Sequence, residues 1–251
     1  MKNNISRPFD FYDNISGFYD EMISFDSALE NRKAVIKNLI RPGMKTAADL
    51  GCGSGLDSIS LALAGSDVTA FDISVGMIEI AKKNSLSMGV KINYVLCSID
   101  KISNEYYSQF DIAVSLGNTL ANLDPKTLDT ALKKIHKILK KDGMLLIQLL
   151  NYELIRKKNK RIVKISKGKD ETIIRFYDIF ADKFNFNILK INNDAPAKYE
   201  LNTTAIYPYT RKLIKKMLKN TGFKKSKFYG SLKPEKFEES KSGDLVVIAH
   251  K

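Results

Sequence analysis

The 251-residue sequence predicts an α/β fold: a doubly wound, mostly parallel sheet of seven strands with a small antiparallel insertion after the fifth. Three observations predict it. A short apolar run ending at Leu50 turns through Gly51, Gly53 and Gly55 and enters an apolar pattern with helical spacing (Ile59, Leu61, Ala62, Leu63). Four further strand–helix patterns follow in the first 150 residues, the alternation that a parallel sheet requires. Beyond Asn151 several segments alternate apolar with polar residues, the mark of strands with one wet face.

In chain order, residues 9–40 carry helical periodicity with an aromatic start: Phe9, Phe11, Tyr12, Phe18 and Tyr19. Such a segment can cover a ligand, with Tyr12 or Tyr19 against it; the plainer role of any one aromatic is packing on the sheet. Arg41-Pro-Gly43 breaks the pattern before the first strand. The second strand is Asp67 to Asp72, and Ser74 is the N-cap of the helix behind it. Lys91 to Leu96 is the third strand, followed by Cys97-Ser98-Ile99-Asp100. Phe110 to Asn118 is the fourth strand with its exit, apolar enough to be buried on both faces. Asp124-Pro125 opens a helix that reaches about Lys140 and closes through Gly143, and Met144 to Leu149 is the fifth strand. The alternating segments fall around Ile162, Thr172, Phe184 and Tyr199, separated by Lys167-Gly168-Lys169 and Asn192-Asn-Asp-Ala-Pro196. Pro208 to Thr221 is a helix stopped by Gly222, and Phe223 to Tyr229 and Asp244 to Ala249 are the last two strands. The expected organisation is a helical cap over 1–43, a ligand-binding core over 44–150, an insertion over the site at 151–206, and core-completing elements over 207–251.

The glycine turn carries the chemistry. Glycine lets backbone and ligand approach closely, and the helix behind it presents free N–H groups. A dinucleotide fingerprint needs G-x-G-x-x-G, but the third glycine comes one residue early and position 56 is Leu. The G-x-x-x-x-G-K-[ST] phosphate loop is absent. Asp49, two residues before the first glycine, would repel a pyrophosphate and attract a cation. S-adenosylmethionine offers an ammonium, a sulfonium and no phosphate. Asp72 ends the next strand about twenty residues on, where such sheets grip a ribose diol. Asp100 or Ser98 is positioned to meet an adenine amino group, with Ile99 and Met77 as apolar neighbours. Tyr19, Cys52, Asp57 and Ile73 complete the expected cofactor set.

Composition sets bounds. The net charge of +13 invites a nucleic-acid reading through the basic run 156–169; a lysine-rich solvated surface is the preferred account, because no RNA-module signature accompanies the charge. No apolar run approaches membrane-span length, and residues 1–8 lack an apolar signal core. Two cysteines, Cys52 and Cys97, fit a reducing cytoplasm. No His/Cys/acid cluster has metal spacing.

Taken together, Asp49-Leu-Gly-Cys-Gly-Ser-Gly-Leu-Asp-Ser58, Ser115-Leu-Gly-Asn-Thr-Leu-Ala-Asn-Leu123, Asn151-Tyr152, Tyr207-Pro208 and Gly230-Ser-Leu-Lys-Pro234 resemble the class I (Rossmann-like) S-adenosylmethionine-dependent methyltransferases, and among them the glycine/sarcosine N-methyltransferase group. The resemblance implies that Gly51, Gly53 and Gly55 line the methionine part of the cofactor, that Asp72 holds the ribose, that Leu116 offers its carbonyl and that Asn118 lies near the substrate. The sequence departs from the group at three points. The group's carboxylate-gripping Arg is Leu150 here, its fourth-strand-loop His is Asn122, and its N-terminal cofactor-binding Arg falls near Ala28, leaving Arg32 or Lys33 to stand in.

The expected reaction is methyl transfer to a small-molecule amine, with O-methylation of a small metabolite and an RNA-directed activity as alternatives. Asn118 and Tyr207 are the catalytic candidates, and Asn122, Asn151, Tyr152, Tyr177 and Tyr209 the substrate-binding ones.

Overall fold

The computed structural model describes residues 5–194 and 198–251. Residues 1–4, read above as part of a segment without a signal core, and residues 195–197, part of the turn ending at Pro196, lie outside the described residues. The core sheet has seven strands: β1 (Thr46–Leu50), β2 (Asp67–Asp72), β3 (Asn93–Leu96), β4 (Phe110–Ser115), β5 (Leu139–Leu150), β10 (Lys225–Tyr229) and β11 (Asp244–His250). Their order is β10-β11-β5-β4-β1-β2-β3. β11 runs antiparallel to both neighbours, and the pairs from β5 to β3 are all parallel. The chain moves outward from β1 to β3 and restarts at β4 on the other side of β1. The carboxyl ends of β1 and β4 therefore diverge into a crevice, the position where open α/β sheets bind ligands.

Local chemistry explains the helices around this sheet. In α4 (Val75–Ser87) the Ser74 hydroxyl accepts the Met77 N–H, and in α5 (Pro125–Ile138) Asp124 accepts from Lys126 and Thr127. α3 (Leu56–Leu63) begins at the glycine turn, with Gly55 left-handed at φ 93° and packed against Ala81 of α4. The segment 9–40 forms two helices, α1 (Pro8–Ile23) and α2 (Phe25–Leu39), because Ser24 turns left-handed between them. Phe11, Ile15, Phe18 and Met22 make the buried stripe of α1.

Several boundaries differ from expectation. β3 and β10 each begin two residues late, at Asn93 and Lys225. α5 stops at Ile138 and β5 begins at Leu139, so Lys140–Gly143 belongs to the strand; the left-handed position there is Asp142, not Gly143. A short helix, α6 (Tyr152–Lys157), follows β5, capped by the Asn151 side chain. α7 (Arg211–Thr221) starts three residues after Pro208, where the Thr210 hydroxyl accepts the Leu213 N–H.

The second sheet is antiparallel and sequential: β6 (Ile162–Lys167), β7 (Glu171–Ile179), β8 (Phe184–Asn192) and β9 (Tyr199–Ile206). Its inner face packs on α1 through Ile173 and Ile188 and on the core through Tyr177, Phe184 and Ile206. Tyr152 of α6 meets Phe184 edge-on at 5.3 Å and fixes this roof to the end of β5. Among the described residues no helix is long and apolar enough to cross a membrane.

Candidate active site

Two cavities meet at the carboxyl ends of β1 and β4. The first has about 970 Å³ of empty space, its open mouth included, and is floored by the glycine turn. Gly51 and Gly53 take φ of 81° and 52° there. A side chain at Gly51 would run into that of Thr119, in the loop after β4, and a Cβ at Gly53 would lie 3.8 Å from the Tyr19 ring. The turn is held by the Gly51 and Cys52 N–H groups, which donate to the Phe71 carbonyl at 2.7 and 3.0 Å.

Three carboxylates surround this turn. Asp72 Oδ2 accepts the Gly53 N–H at 2.8 Å and Oδ1 the Ser74 N–H at 2.9 Å, which aims the carboxylate along the cavity wall with lone pairs to spare. Asp49 lies fully buried behind the turn; Oδ2 accepts the Ser58 hydroxyl at 2.5 Å, and Oδ1 has no partner among the described residues. Asp57, in the first turn of α3, pairs with Arg32 of α2. Burial raises the proton affinity of all three, and Asp57 adds to the effect on Asp49. Two acids, Asp57 and Asp72, line the cavity with one cation, Arg32, which is paired with Asp57; the unmatched Asp72 favours a positively charged ligand. A glycine cradle beside the Asp72 carboxylate fits a cationic nucleoside and not a pyrophosphate.

Most of the expected cofactor residues meet in this cavity: Tyr19, Gly51, Cys52, Gly53, Asp57, Asp72, Ile73, Met77, Ser98, Ile99 and Leu116 line it. Asp49, Gly55 and Asp100 do not; Asp49 sits behind the turn, Gly55 packs on α4, and Asp100 is engaged by the Ser98 hydroxyl. Of the two stand-ins for the displaced Arg, Arg32 reaches the cavity and Lys33 pairs with Glu30 on the exposed face of α2.

The second cavity, about 1070 Å³ of empty space with its mouth, lies between the ends of β4 and β5, the helix α1 and the roof sheet. It shares Tyr12, Tyr19, Ile23, Leu56, Gly117 and Asn122 with the first. Asn122 Nδ2 donates to Tyr12 Oη at 3.2 Å on that shared wall. Asn118, left-handed at φ 72°, lines the cavity with its polar atoms already engaged: Nδ2 donates to Tyr152 Oη at 2.6 Å, and Oδ1 accepts the Leu150 N–H at 3.0 Å. Tyr177 lines the cavity from β7, its hydroxyl pushed by burial up to about 12.

The remaining candidates face elsewhere. Asn151 caps α6 and donates to the Glu239 and Ser242 carbonyls at 2.8 Å. Tyr209 donates to the Leu123 carbonyl at 2.6 Å. Tyr152, Tyr207 and Tyr209 line a separate cavity with Glu153, Arg156 and Asp182. Sequence reasoning missed Arg175, the charged residue that β7 contributes to the second cavity. Its signal was a single Arg inside the alternating stretch Thr172 to Tyr177.

A sheet of this order, with a glycine turn after its first strand and an acid at the end of its second, is the architecture of a nucleoside-binding α/β enzyme. Residues 47–143 match the methyltransferase domain family model. Over 255 aligned residues the chain is 25% identical to a glycine/sarcosine N-methyltransferase of Aphanothece halophytica, covering 98% of this chain and 93% of that protein. It is equally, 25%, identical over 231 residues to a carboxy-S-adenosyl-L-methionine synthase of Campylobacter hominis, covering 89% and 90%. The solved structure of the CcbJ methyltransferase from Streptomyces caelestis superposes with a TM-score of 0.80 at 15% identity, covering 95% and 96%. The methyltransferase domain and these relatives support an S-adenosylmethionine-dependent methyltransferase of class I, with S-adenosyl-L-methionine as cofactor.

Proposed function

We propose that the protein methylates the nitrogen of a small-molecule amine bound in the second cavity. The observation that carries this reading is the shared wall: two compartments of comparable size meet at Tyr12, Tyr19, Gly117 and Asn122. The nearly full-length match to an N-methyltransferase supports nitrogen as the acceptor atom.

In this reading the turn at Gly51 and Gly53 cradles the methionine portion of the cofactor, and Asp72 accepts from the ribose hydroxyls. Ser98, Ile99 and Met77 border the base, and Arg32 stands nearest to the methionine carboxylate. When bound, the cofactor supplies a methyl group on a positively charged sulfur. The protein's own task is to align the acceptor and keep water out. Tyr12 and Tyr19 close the shared wall, and Asn122 orients the acceptor beside them.

In this reading no phenol at the wall takes the acceptor's proton. Burial pushes the Tyr12 hydroxyl up to about 12 and raises that of Tyr19 as well, so near neutral pH they donate hydrogen bonds and hold their protons. The amine enters as the free base. Asn118 acts by fixing the loop after β4, since its side chain is committed to Tyr152 and Leu150.

The test incubates the protein and S-adenosylmethionine with primary and secondary amines, and separately with phenols and alcohols, and detects S-adenosylhomocysteine and methylated product by mass spectrometry. N-methyl products from the amine set are expected. Turnover confined to hydroxyl acceptors overturns the assignment to nitrogen.

A further inference from the structure

The inner face of β7 presents Ile173, Arg175 and Tyr177 in alternation, and the β8 partner of Arg175, Ile188, is fully buried. Arg175 pairs in register with Ile188, and Tyr177 with Phe186. Arg175 lines the second cavity together with Tyr19, Gln148, Leu150 and Tyr177. Lys190, the other cation on this face, is matched by Glu171 at 2.6 Å. Arg175 has no such match. Among the described residues, side-chain hydrogen bonds from arginine are made by Arg7, Arg32, Arg156 and Arg161, and ion pairs by Arg7 and Arg32. Its register partner on β6 is a further cation, the exposed Lys164. Residues 1–4 and 195–197 contain no acid.

A guanidinium drawn partly out of water without a counter-ion is costly, and a strand in this position carries an aliphatic residue at no such cost. A planar pair of N–H donors at a cavity wall matches a carboxylate, which takes two parallel hydrogen bonds. One guanidinium also balances the single charge of a carboxylate, whereas a phosphate would bring more charge than this wall neutralises. We propose that Arg175 is the anion-binding residue of the acceptor cavity, and that the acceptor is an amine bearing a carboxylate. This rests on the reading of the second cavity as the acceptor site. The acid group points to the roof, and the nitrogen points to the shared wall at Tyr12 and Asn122.

Isothermal calorimetry on the full chain separates the two readings. S-adenosylhomocysteine is titrated first into wild type, Arg175→Leu and Arg175→Lys. The loaded proteins then receive matched pairs: sarcosine and sarcosinamide, β-alanine and β-alaninamide, phenylalanine and phenylalaninamide, phenylacetate and phenylacetamide. Wild type is expected to bind at least one carboxylate about tenfold or more tighter than its amide, the effect of one charge-assisted contact. Arg175→Leu loses that preference, Arg175→Lys keeps part of it, and all three bind S-adenosylhomocysteine alike. Failure of wild type to bind S-adenosylhomocysteine sinks the cofactor-site reading itself. Normal S-adenosylhomocysteine binding with no carboxylate preference in wild type, or a preference that survives in Arg175→Leu, overturns the role of Arg175 alone. Thermal melting of each variant, with Arg175→Gln as a further replacement, separates loss of fold from loss of binding.

Discussion

Asp13 on α1 accepts the backbone N–H of Gly76, at the start of α4, at 3.0 Å. The same oxygen accepts the hydroxyl of Ser74, which itself caps α4 by accepting the Met77 N–H at 3.1 Å. One carboxylate thus joins the covering helix to the core beside the cofactor cavity. Gly76 is tight against Ser16, where a Cβ would lie 2.6 Å from the hydroxyl oxygen, and Asn84 donates to Asp20 at 2.8 Å further along.

Replacing Asp13 by Ala leaves the Gly76 N–H without its partner and frees one end of the cover. The expected cost is about 1 kcal/mol of stability, the value of a lost helix cap. Faster amide exchange across α1 and weaker S-adenosylmethionine binding should accompany it. Exchange unchanged in α1 would show that the cover is held by its apolar stripe alone.

Asp72→Ala removes the acceptor for the Gly53 and Ser74 N–H groups along with the proposed ribose contact. Loss of a charged hydrogen-bond partner is worth about 1.5–3 kcal/mol, or roughly tenfold to a hundredfold in affinity. Calorimetry with S-adenosylmethionine reads this directly. Equal affinity in wild type and variant would remove Asp72 from the ribose.

A pH effect on stability is expected at Asp111, between β1 and β5. Burial works to raise its pKa, but hydrogen bonds from Lys140, Thr46 and Lys45 outweigh it and bring the group down to about 2 from 3.8. A depressed folded-state value means stabilisation that is complete above 3.8 and lost as pH falls towards about 2. Denaturant titrations of wild type and Asp111→Asn should therefore differ most above that window and converge below it. A gap that stays constant down to the acid end contradicts the assignment.

Turnover should follow the acceptor's own ionisation. With the tyrosines at the shared wall protonated near neutral pH, kcat/KM rises with pH as the acceptor ammonium loses its proton. Two acceptors of different basicity should give profiles whose midpoints differ accordingly. A common midpoint for both would reveal a protein base.

Local features were legible in the sequence because local chemistry sets them. The glycine turn, the Ser74 and Asp124 caps and the breaker before β1 all rest on residues within one turn of the event they cause. The N-terminal part of β5 was not, since Lys140-Lys-Asp-Gly143 reads as a helix terminus; Leu139 pairs with Phe110 and Met144 with Ile112 of β4, and Lys140–Gly143 form the irregularity between the two pairs. Tyr207 shows the same limit at the site. It follows the roof strand β9 directly, but its N–H donates to the Ala121 carbonyl at 2.7 Å, and its ring joins Tyr152 and Tyr209 around another cavity. Arg175 was hidden for a different reason. Alternation marks two faces of a strand without saying which one is covered, and only the position of α1 and the core over the roof sheet decides that.

The first helix has a bearing on how such enzymes can be re-engineered. Just before it, the Ser6 N–H bonds to the Thr203 carbonyl at 2.9 Å, tying the chain to the outer strand of the roof; within it, Asp13 grips the core, and Tyr12 and Tyr19 serve both compartments. A chimera that borrows only residues 162–206 from a relative would inherit a ceiling shaped for someone else's tyrosines. Transplants meant to change the accepted molecule should carry the donor's opening two dozen residues along with its ceiling.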